Sequence, residues 1–306
     1  MHAYFYNEAI FDLHLRPRTP LLIKAGRSGE EAIDPTLPDM AFVRTMRPGQ
    51  SEEEVYIPGS SLRGVIRGHA EKLLRSVATE NKVLACDPTQ TGNGGRIGKT
   101  CFAGESNTDQ LPGDKAYRRS CYACKLFGNT ALAGRVQVND LYLAPESVPL
   151  LTRRYGVAID RVTGAVAQGP FEIEILTDAQ FAGRLTIRNF TLGQLGLMAA
   201  TLLDLGDGLV SMGYGKSRGL GRMEVSFQEV QIRTLQKPNG QILGIGALAR
   251  SAEKEQFGLP NIENERLTVN LEAQQVRGFY TMRSSGNDAT RWLEEAAGLW
   301  VKEAGA

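Results

Sequence analysis

Apolar and polar residues alternate along Ile10–Arg16, where Phe11, Leu13 and Leu15 interleave with Asp12, His14 and Arg16. A period of two is that of a strand with one buried face. Between Ser60 and Val77 the period lengthens. Leu62, Val65, Ile66, Leu73, Leu74 and Val77 fall on one helical face, and Ser60 or Ser61 can cap its start. Val136 and Val138, then Leu141 and Leu143, predict a strand whose phase slips near Asn139–Asp140, the mark of a bulge. Phe171, Ile173 and Ile175 alternate with glutamates, and Leu185 and Ile187 with Arg184, Thr186 and Arg188. A second helix is predicted over Thr191–Leu205, with Leu192, Leu195, Ala199 and Leu202 inward and Gly206 and Gly208 ending it. Met223, Val225 and Phe227 mark a last strand over Arg222–Ile232.

The order is therefore β, α, β, β (with one extra neighbouring strand), α, β. That is an α+β chain in the ferredoxin-like, RRM-type order, interrupted by long insertions at 17–58, 78–134 and 145–170. Connections of that length inside a compact domain imply function. Residues 1–232 read as one RRM-like domain. Residues 233–306 read as a Gln/Asn/Gly-rich C-terminal extension ending in a helix, Trp292–Glu303, with Trp292, Leu293, Ala297 and Trp300 on one stripe.

Composition narrows the classes. Hydrophobic residues are 42% of the 306, and 35 Lys+Arg oppose 34 Asp+Glu. A net charge of +1 excludes a disordered polyelectrolyte and a uniformly basic nucleic-acid coat, and leaves room for a local basic groove. No apolar run approaches a membrane span, and the first residues lack the layout of an export signal, so a cytoplasmic protein is expected.

Three constellations carry chemistry. Gly213-Tyr-Gly-Lys-Ser-Arg-Gly-Leu-Gly221 and Arg222 place four glycines and three cations together with no acid. Glycines let backbone N–H groups approach an anion, and Lys216, Arg218 and Arg222 add charge, which suits a sugar–phosphate backbone. The helix-then-strand context is wrong for a nucleotide P-loop; the plain alternative is a flexible turn. In Tyr56-Ile-Pro-Gly-Ser-Ser-Leu-Arg-Gly64, Ser60 and Ser61 present hydroxyls at a helix start, with Arg63 and Arg67 one turn apart. Arg63, Arg67, Lys72 and Arg75 against Glu71 make that helix locally basic. Cys121-x2-Cys124 has metal-knuckle spacing, and Cys86 and Cys101 can complete a tetrahedral thiolate site for a structural Zn²⁺ stapling the 78–134 insertion. The alternative is separate buried thiols.

Ile57-Pro-Gly-Ser-Ser-Leu-Arg-Gly64 followed by Gly213-Tyr-Gly-Lys-Ser-Arg-Gly-Leu-Gly221 closely resembles the RAMP (repeat-associated mysterious protein) superfamily of CRISPR–Cas proteins. Within it, the chain resembles the Cas seven-type backbone subunit of type III effector complexes. Ile159-Asp-Arg-Val-Thr-Gly164 and Cys121-Tyr-Ala-Cys-Lys-Leu-Phe-Gly128 are similar to the same group, and the resemblance covers roughly residues 10–232. It implies a modified RRM fold whose copies stack along a CRISPR RNA, each covering a six-nucleotide segment. A thumb insertion wedges between guide and target. Here the wedge would come from 150–170, with Leu150, Leu151, Tyr155 and Val157 as candidates.

The resemblance further implies an acidic residue, in the loop after the first strand, that cuts target RNA with a divalent metal such as Mg²⁺. Asp39, in Asp39-Met-Ala-Phe-Val-Arg44, matches that spacing and is placed first; Asp34, in Ala32-Ile-Asp-Pro35, matches part of it. Such a carboxylate could hold the metal or orient a ribose 2′-OH. RNA contact is expected from Ser60, Ser61, Arg63, Arg67, Gly213, Tyr214, Gly215, Lys216, Ser217, Arg218 and Gly219. The implied partners are CRISPR RNA, target RNA, other RAMP subunits and other effector-complex proteins. Many relatives ligate zinc with one His and three Cys, so His69 is an alternative to Cys86 or Cys101. Some relatives lack the acid and only bind, which makes a non-catalytic scaffold the alternative function. A stand-alone RNA-processing endonuclease ranks third, because no His lies near 213–221.

Overall fold

A computed structural model describes residues 3–25, 38–79, 82–87, 101–102, 108–260 and 265–305. Asp34 and the Gly/Asn-rich run Thr91–Gly98 lie outside the described residues. The chain forms β1 (Asn7–Pro17), a small hairpin of β2 (Arg44–Met46) and β3 (Glu53–Val55), and helix α1 (Gly59–Val77). Two short helices follow, α2 (Gly113–Arg119) and α3 (Tyr122–Phe127), then β4 (Val136–Val138) and β5 (Tyr142–Leu143). A long hairpin, β6 (Leu150–Ile159) and β7 (Val166–Asp178), precedes β8 (Phe181–Arg188), α4 (Leu192–Gly206) and β9 (Met223–Thr234). The remainder holds β10 (Gln241–Leu243), α5 (Ile245–Leu248), α6 (Ser251–Phe257) and β11 (Arg266–Thr268). It closes with β12 (Ala273–Val276), β13 (Phe279–Ser284), α7 (Gly286–Ala297) and α8 (Leu299–Ala304).

The fold is α+β around one antiparallel sheet in the order β12-β13-β9-β1-β8-β4, with β5 also on β8. Its centre is the alternating strand read from the sequence. Phe11, Leu13 and Leu15 are 0%, 2% and 0% exposed. Phe11 pairs Leu185 on one side and Val230 on the other. The phase slip at Asn139–Asp140 is real: β4 and β5 are two short pieces laid on β8 with that step between them. Leu62, Ile66 and Leu74 of α1 are buried, and Val65, Leu73 and Val77 rest against the same core.

The start of α1 differs from the serine cap expected. Pro58 holds the cap position, and neither Ser60 nor Ser61 makes a capping bond. The Gly59 N–H donates instead to Asp140 Oδ1 at 2.7 Å. A Cβ at residue 59 would lie 2.3 Å from the Val138 carbonyl oxygen, so only glycine lets the helix start this close to the β4–β5 step.

Two further readings change. Phe171, Ile173 and Ile175 belong to β7, which pairs with β6 and not with the central sheet. The insertion therefore runs to Asp178, past 170. Residues 233–306 are built into the domain: β13 pairs with β9, and α7 and α8 lie against α4 in the same hydrophobic core. The single helix expected at Trp292–Glu303 is two, meeting at Gly298, with Trp292, Leu293 and Trp300 buried as expected.

Two carboxylates of this segment fasten the start of α4. Thr191 and Gln194 form a capping box there. Glu265 accepts the Leu192 N–H at 2.9 Å, and Glu303 accepts the Gly193 N–H at 2.8 Å and the Thr191 hydroxyl at 2.7 Å. Burial, together with repulsion from Glu303, pushes Glu265 up to about 8. Among the described residues no helix is long and apolar enough to cross a membrane.

Candidate RNA interface and metal centre

The glycine-rich loop joins α4 to β9. Gly213, Gly215, Gly219 and Gly221 all have φ between 73° and 84°, the left-handed region that other residues enter at a cost. Two of them also face backbone too closely for a side chain. A Cβ at Gly221 would lie 1.9 Å from the Met212 carbonyl oxygen, and one at Gly213 would lie 2.3 Å from that of Leu22. The loop is moored on Pro20–Leu22: Tyr214 N–H donates to Leu22 O at 2.7 Å, and Gly221 N–H to Pro20 O at 2.9 Å. Between the moorings, Lys216–Arg218 form one short 3₁₀ turn. Among the described residues, the N–H groups of Gly215, Lys216 and Ser217 find no acceptor. Lys216, Ser217, Arg218, Gly219 and Arg222 are exposed, and the Arg218 guanidinium lies 5.8 Å from the Tyr214 ring centre. Successive free N–H groups beside three solvated cations make an anion cradle.

The same 20–25 segment ties this loop to the hairpin. Leu21 bridges Leu176 of β7, and Val43 N–H donates to Ile23 O at 2.9 Å. Asp39 is exposed beside the middle of β7, where its Oδ2 accepts the Glu172 N–H at 2.8 Å. The spacing from Asp39 to Arg44 has a structural reason. Residues 40–42 run along β7, and Arg44 closes on Glu174 with bonds of 2.7 and 2.9 Å. Burial alone would raise Glu174; the Arg44 bonds and the Phe42 N–H outweigh it and hold the carboxyl below its usual range. The distal hairpin is apolar and solvated. Tyr155, Ile159, Val162 and Val166 are 72%, 64%, 93% and 62% exposed. Of the four wedge candidates, Leu150, Tyr155 and Val157 are exposed and Leu151 is partly buried against the core.

Cys86, Cys101, Cys121 and Cys124 converge, all four sulfurs within 4.8 Å of one another. All are free thiols; Cys86 and Cys124 stand 3.6 Å apart, far beyond a disulfide and close to the edge of about 3.8 Å that a tetrahedral zinc with ~2.3 Å bonds requires. The backbone donates to sulfur as thiolates need: Cys121 N–H to Cys101 Sγ at 3.2 Å, and Cys124 N–H to Cys121 Sγ at 3.5 Å. Hydrogen bonds from Cys101 and Cys124 bring the Cys121 thiol down to about 7, while bonding to its three neighbours drives Cys124 up. Four crowded sulfurs cannot all ionise without a cation, so the donor set fits Zn²⁺ with no position left open for catalysis. His69 is engaged elsewhere, its Nε2 2.6 Å from Asp204 Oδ2 on α4, which removes it as the alternative ligand.

The α1 arginines serve this centre. Arg67 binds Glu71 at 2.8 Å, Gly128 O at 3.3 Å, and points a nitrogen at Cys124 Sγ at 3.9 Å. Arg75 binds Glu71 at 3.0 Å and Cys86 O at 2.7 Å. Arg63 donates to Phe127 O, and its own burial together with Arg67 lowers its pKa. The insertion is thus no satellite: Cys86, Cys121 and Cys124 lie in the main core.

The chain matches the RAMP superfamily over residues 14–224, and it belongs to that superfamily. Membership points to a CRISPR-associated protein that binds CRISPR RNA and works with other Cas proteins. No curated protein matches the chain.

Proposed function

We propose that this chain is a Cas seven-type backbone subunit of a type III CRISPR effector complex, holding CRISPR RNA and cutting complementary target RNA. The strand order β9-β1-β8-β4, with α1 and α4 as the two crossovers, supports the RRM-like reading within the superfamily. The observation that carries RNA binding is the 213–222 loop, where N–H groups without an acceptor among the described residues lie beside exposed Lys216, Arg218 and Arg222. Exposed Ser60 at the start of α1 is assigned to the same backbone contact. Arg63 and Arg67 contribute less, since their donors serve the cysteine centre. The exposed apolar hairpin is assigned the wedge between guide and target. Zn²⁺ is assigned to the four cysteines as a structural ion.

In the cutting reaction the ribose 2′-oxygen attacks the adjacent phosphorus and the bond to the 5′-oxygen breaks, leaving a cyclic phosphate and a free 5′-OH. Asp39 or Asp34 would orient the 2′-OH and take its proton, while the 5′-oxygen is protonated from solvent. A bound divalent ion such as Mg²⁺ would neutralise charge on the phosphate. One observation favours the scaffold alternative: Asp39 already has a structural duty on Glu172. The test is target-RNA cleavage by the reconstituted complex with Mg²⁺, comparing wild type, Asp39→Ala and Asp34→Ala. Loss of one cut with binding retained names the acid. Unchanged cutting in both variants makes the chain a scaffold.

A further inference from the structure

The cysteine centre stands where the 78–134 insertion meets the C-terminal extension, and arms of the insertion reach across beside the ligands. Lys82, four residues before Cys86, donates through Nζ to the Ala304 carbonyl at the end of α8. Tyr122, between Cys121 and Cys124, sets its hydroxyl beside Glu303 of the same helix. A Cβ on Gly193 would lie 2.7 Å from that hydroxyl oxygen and 2.3 Å from Glu303 Oε2. The hydroxyl is buried and finds no hydrogen-bond partner among the described residues, so only the placement of α3 keeps it there. A second arm joins α2 to α6. The Tyr117 ring meets Phe257 edge-on with centres 5.9 Å apart, and Arg118 Nη1 donates to the Glu255 carbonyl at 3.3 Å. Tyr117 and Arg118 precede Cys121 by four and three residues.

These arms have little of their own to hold them in place. Helices α2 and α3 have seven and six residues, too few to stand as isolated helices. Residues 82–87 belong to no helix or strand, and the Ala123 N–H reaches Leu84 O at 3.0 Å to tie them to α3. A metal ion on Cys86, Cys101, Cys121 and Cys124 would join both arms into one piece, since ligands far apart in the chain then share a centre. The rest of the extension is anchored elsewhere. β13 pairs with β9, and α7 lies on α4 and β9, and neither bonds to the insertion among the described residues. We propose that the cysteine centre is a metal-dependent clasp on the C-terminal extension: metal binding fixes α6 and α8 to the body of the protein, and metal loss loosens those two helices while β13 and α7 stay docked. Helix α8 keeps a partial hold without metal, because Glu303 also accepts the Gly193 N–H and the Thr191 hydroxyl of α4.

The inference rests on the zinc assignment, and the experiment separates the two. The purified full chain is assayed for bound zinc, then followed by hydrogen exchange as the zinc-loaded protein, after chelation, and after Zn²⁺ is added back. Chelation should speed exchange about tenfold in α6 and about threefold in α8, Zn²⁺ should reverse both, and β13 and α7 should hold their protection. Phe257→Ala opens the α2–α6 arm from the extension's side, at a residue outside the main core. It should keep about one zinc per chain and show fast exchange in α6 that chelation no longer increases. Protection in α6 or α8 that chelation leaves unmoved, loosening shared equally by β13 and α7, or an α6 that still responds to chelation in Phe257→Ala overturns the clasp and leaves the zinc site standing. A wild-type chain that holds no zinc and takes none up overturns both.

Discussion

On α1, Arg63, Arg67 and Arg75 donate to main-chain oxygens around the cysteine centre or to buried Glu71. On the loop before β9, Lys216, Arg218 and Arg222 stand in solvent beside backbone N–H groups that find no acceptor among the described residues. The helix carries four cations, with Lys72 beside the three arginines, and the loop carries three, yet the arginines of the helix hold a domain together and the loop's cations make no ion pair among the described residues. The difference lies in what surrounds them. Glu71 sits between Arg67 and Arg75 at helical spacing, and the 124–128 turn presents carbonyls to both Arg63 and Arg67. The loop has no acid, and the carbonyls of Gly215, Lys216, Gly221 and Arg222 already accept backbone N–H groups. Local charge is therefore a poor guide to an RNA surface unless the acceptors nearby are counted with it.

The most forceful way to test this contrast is at the sulfurs. Cys124→Ser should abolish stoichiometric zinc by elemental analysis and lower the unfolding temperature by on the order of 10 °C. Hydrogen exchange should place the loss in 82–128 and α1 and spare the central strands; uniform protection after chelation would mean that the cysteines staple nothing. Arg67→Met comes next. It removes the partner of a buried carboxylate and should cost about 2–3 kcal/mol in denaturant unfolding while leaving the salt slope of RNA binding within error. A flattened slope would return Arg67 to the RNA surface. Lys216→Ala with Arg218→Ala should do the reverse: unfolding changes by less than about 0.5 kcal/mol, and the slope falls by roughly two. An unchanged slope would remove the loop from the interface.

Much of this architecture is legible in the sequence, where burial imposes a period. Phe11, Leu13 and Leu15 announce β1, and the α1 stripe announces its buried face. The four cysteines converge as their spacing predicts, because thiols have few other reasons to cluster. What stayed hidden involves choice of partner. Alternation at Phe171–Ile175 is the same whether a strand joins the sheet or returns along a hairpin. Asp140 caps α1 from 81 residues away, a pairing no local pattern encodes, and it takes the duty that Ser60 and Ser61 suggest. Buried Glu265 and half-buried Glu303 look like surface acids and are the fasteners of α4.

The central position of β1 also sets a timetable for synthesis. Its neighbours are β8, from residue 181, and β9, from residue 223. At about 5–20 residues per second, the first strand waits on the order of ten to thirty seconds after emerging before either neighbour exists. The cysteine ligands are complete by residue 124. Metal can thus organise the middle of the chain while the strand that will become the heart of the sheet is still unpaired, apolar on one face, and dependent on whatever shields it from its copies on neighbouring ribosomes.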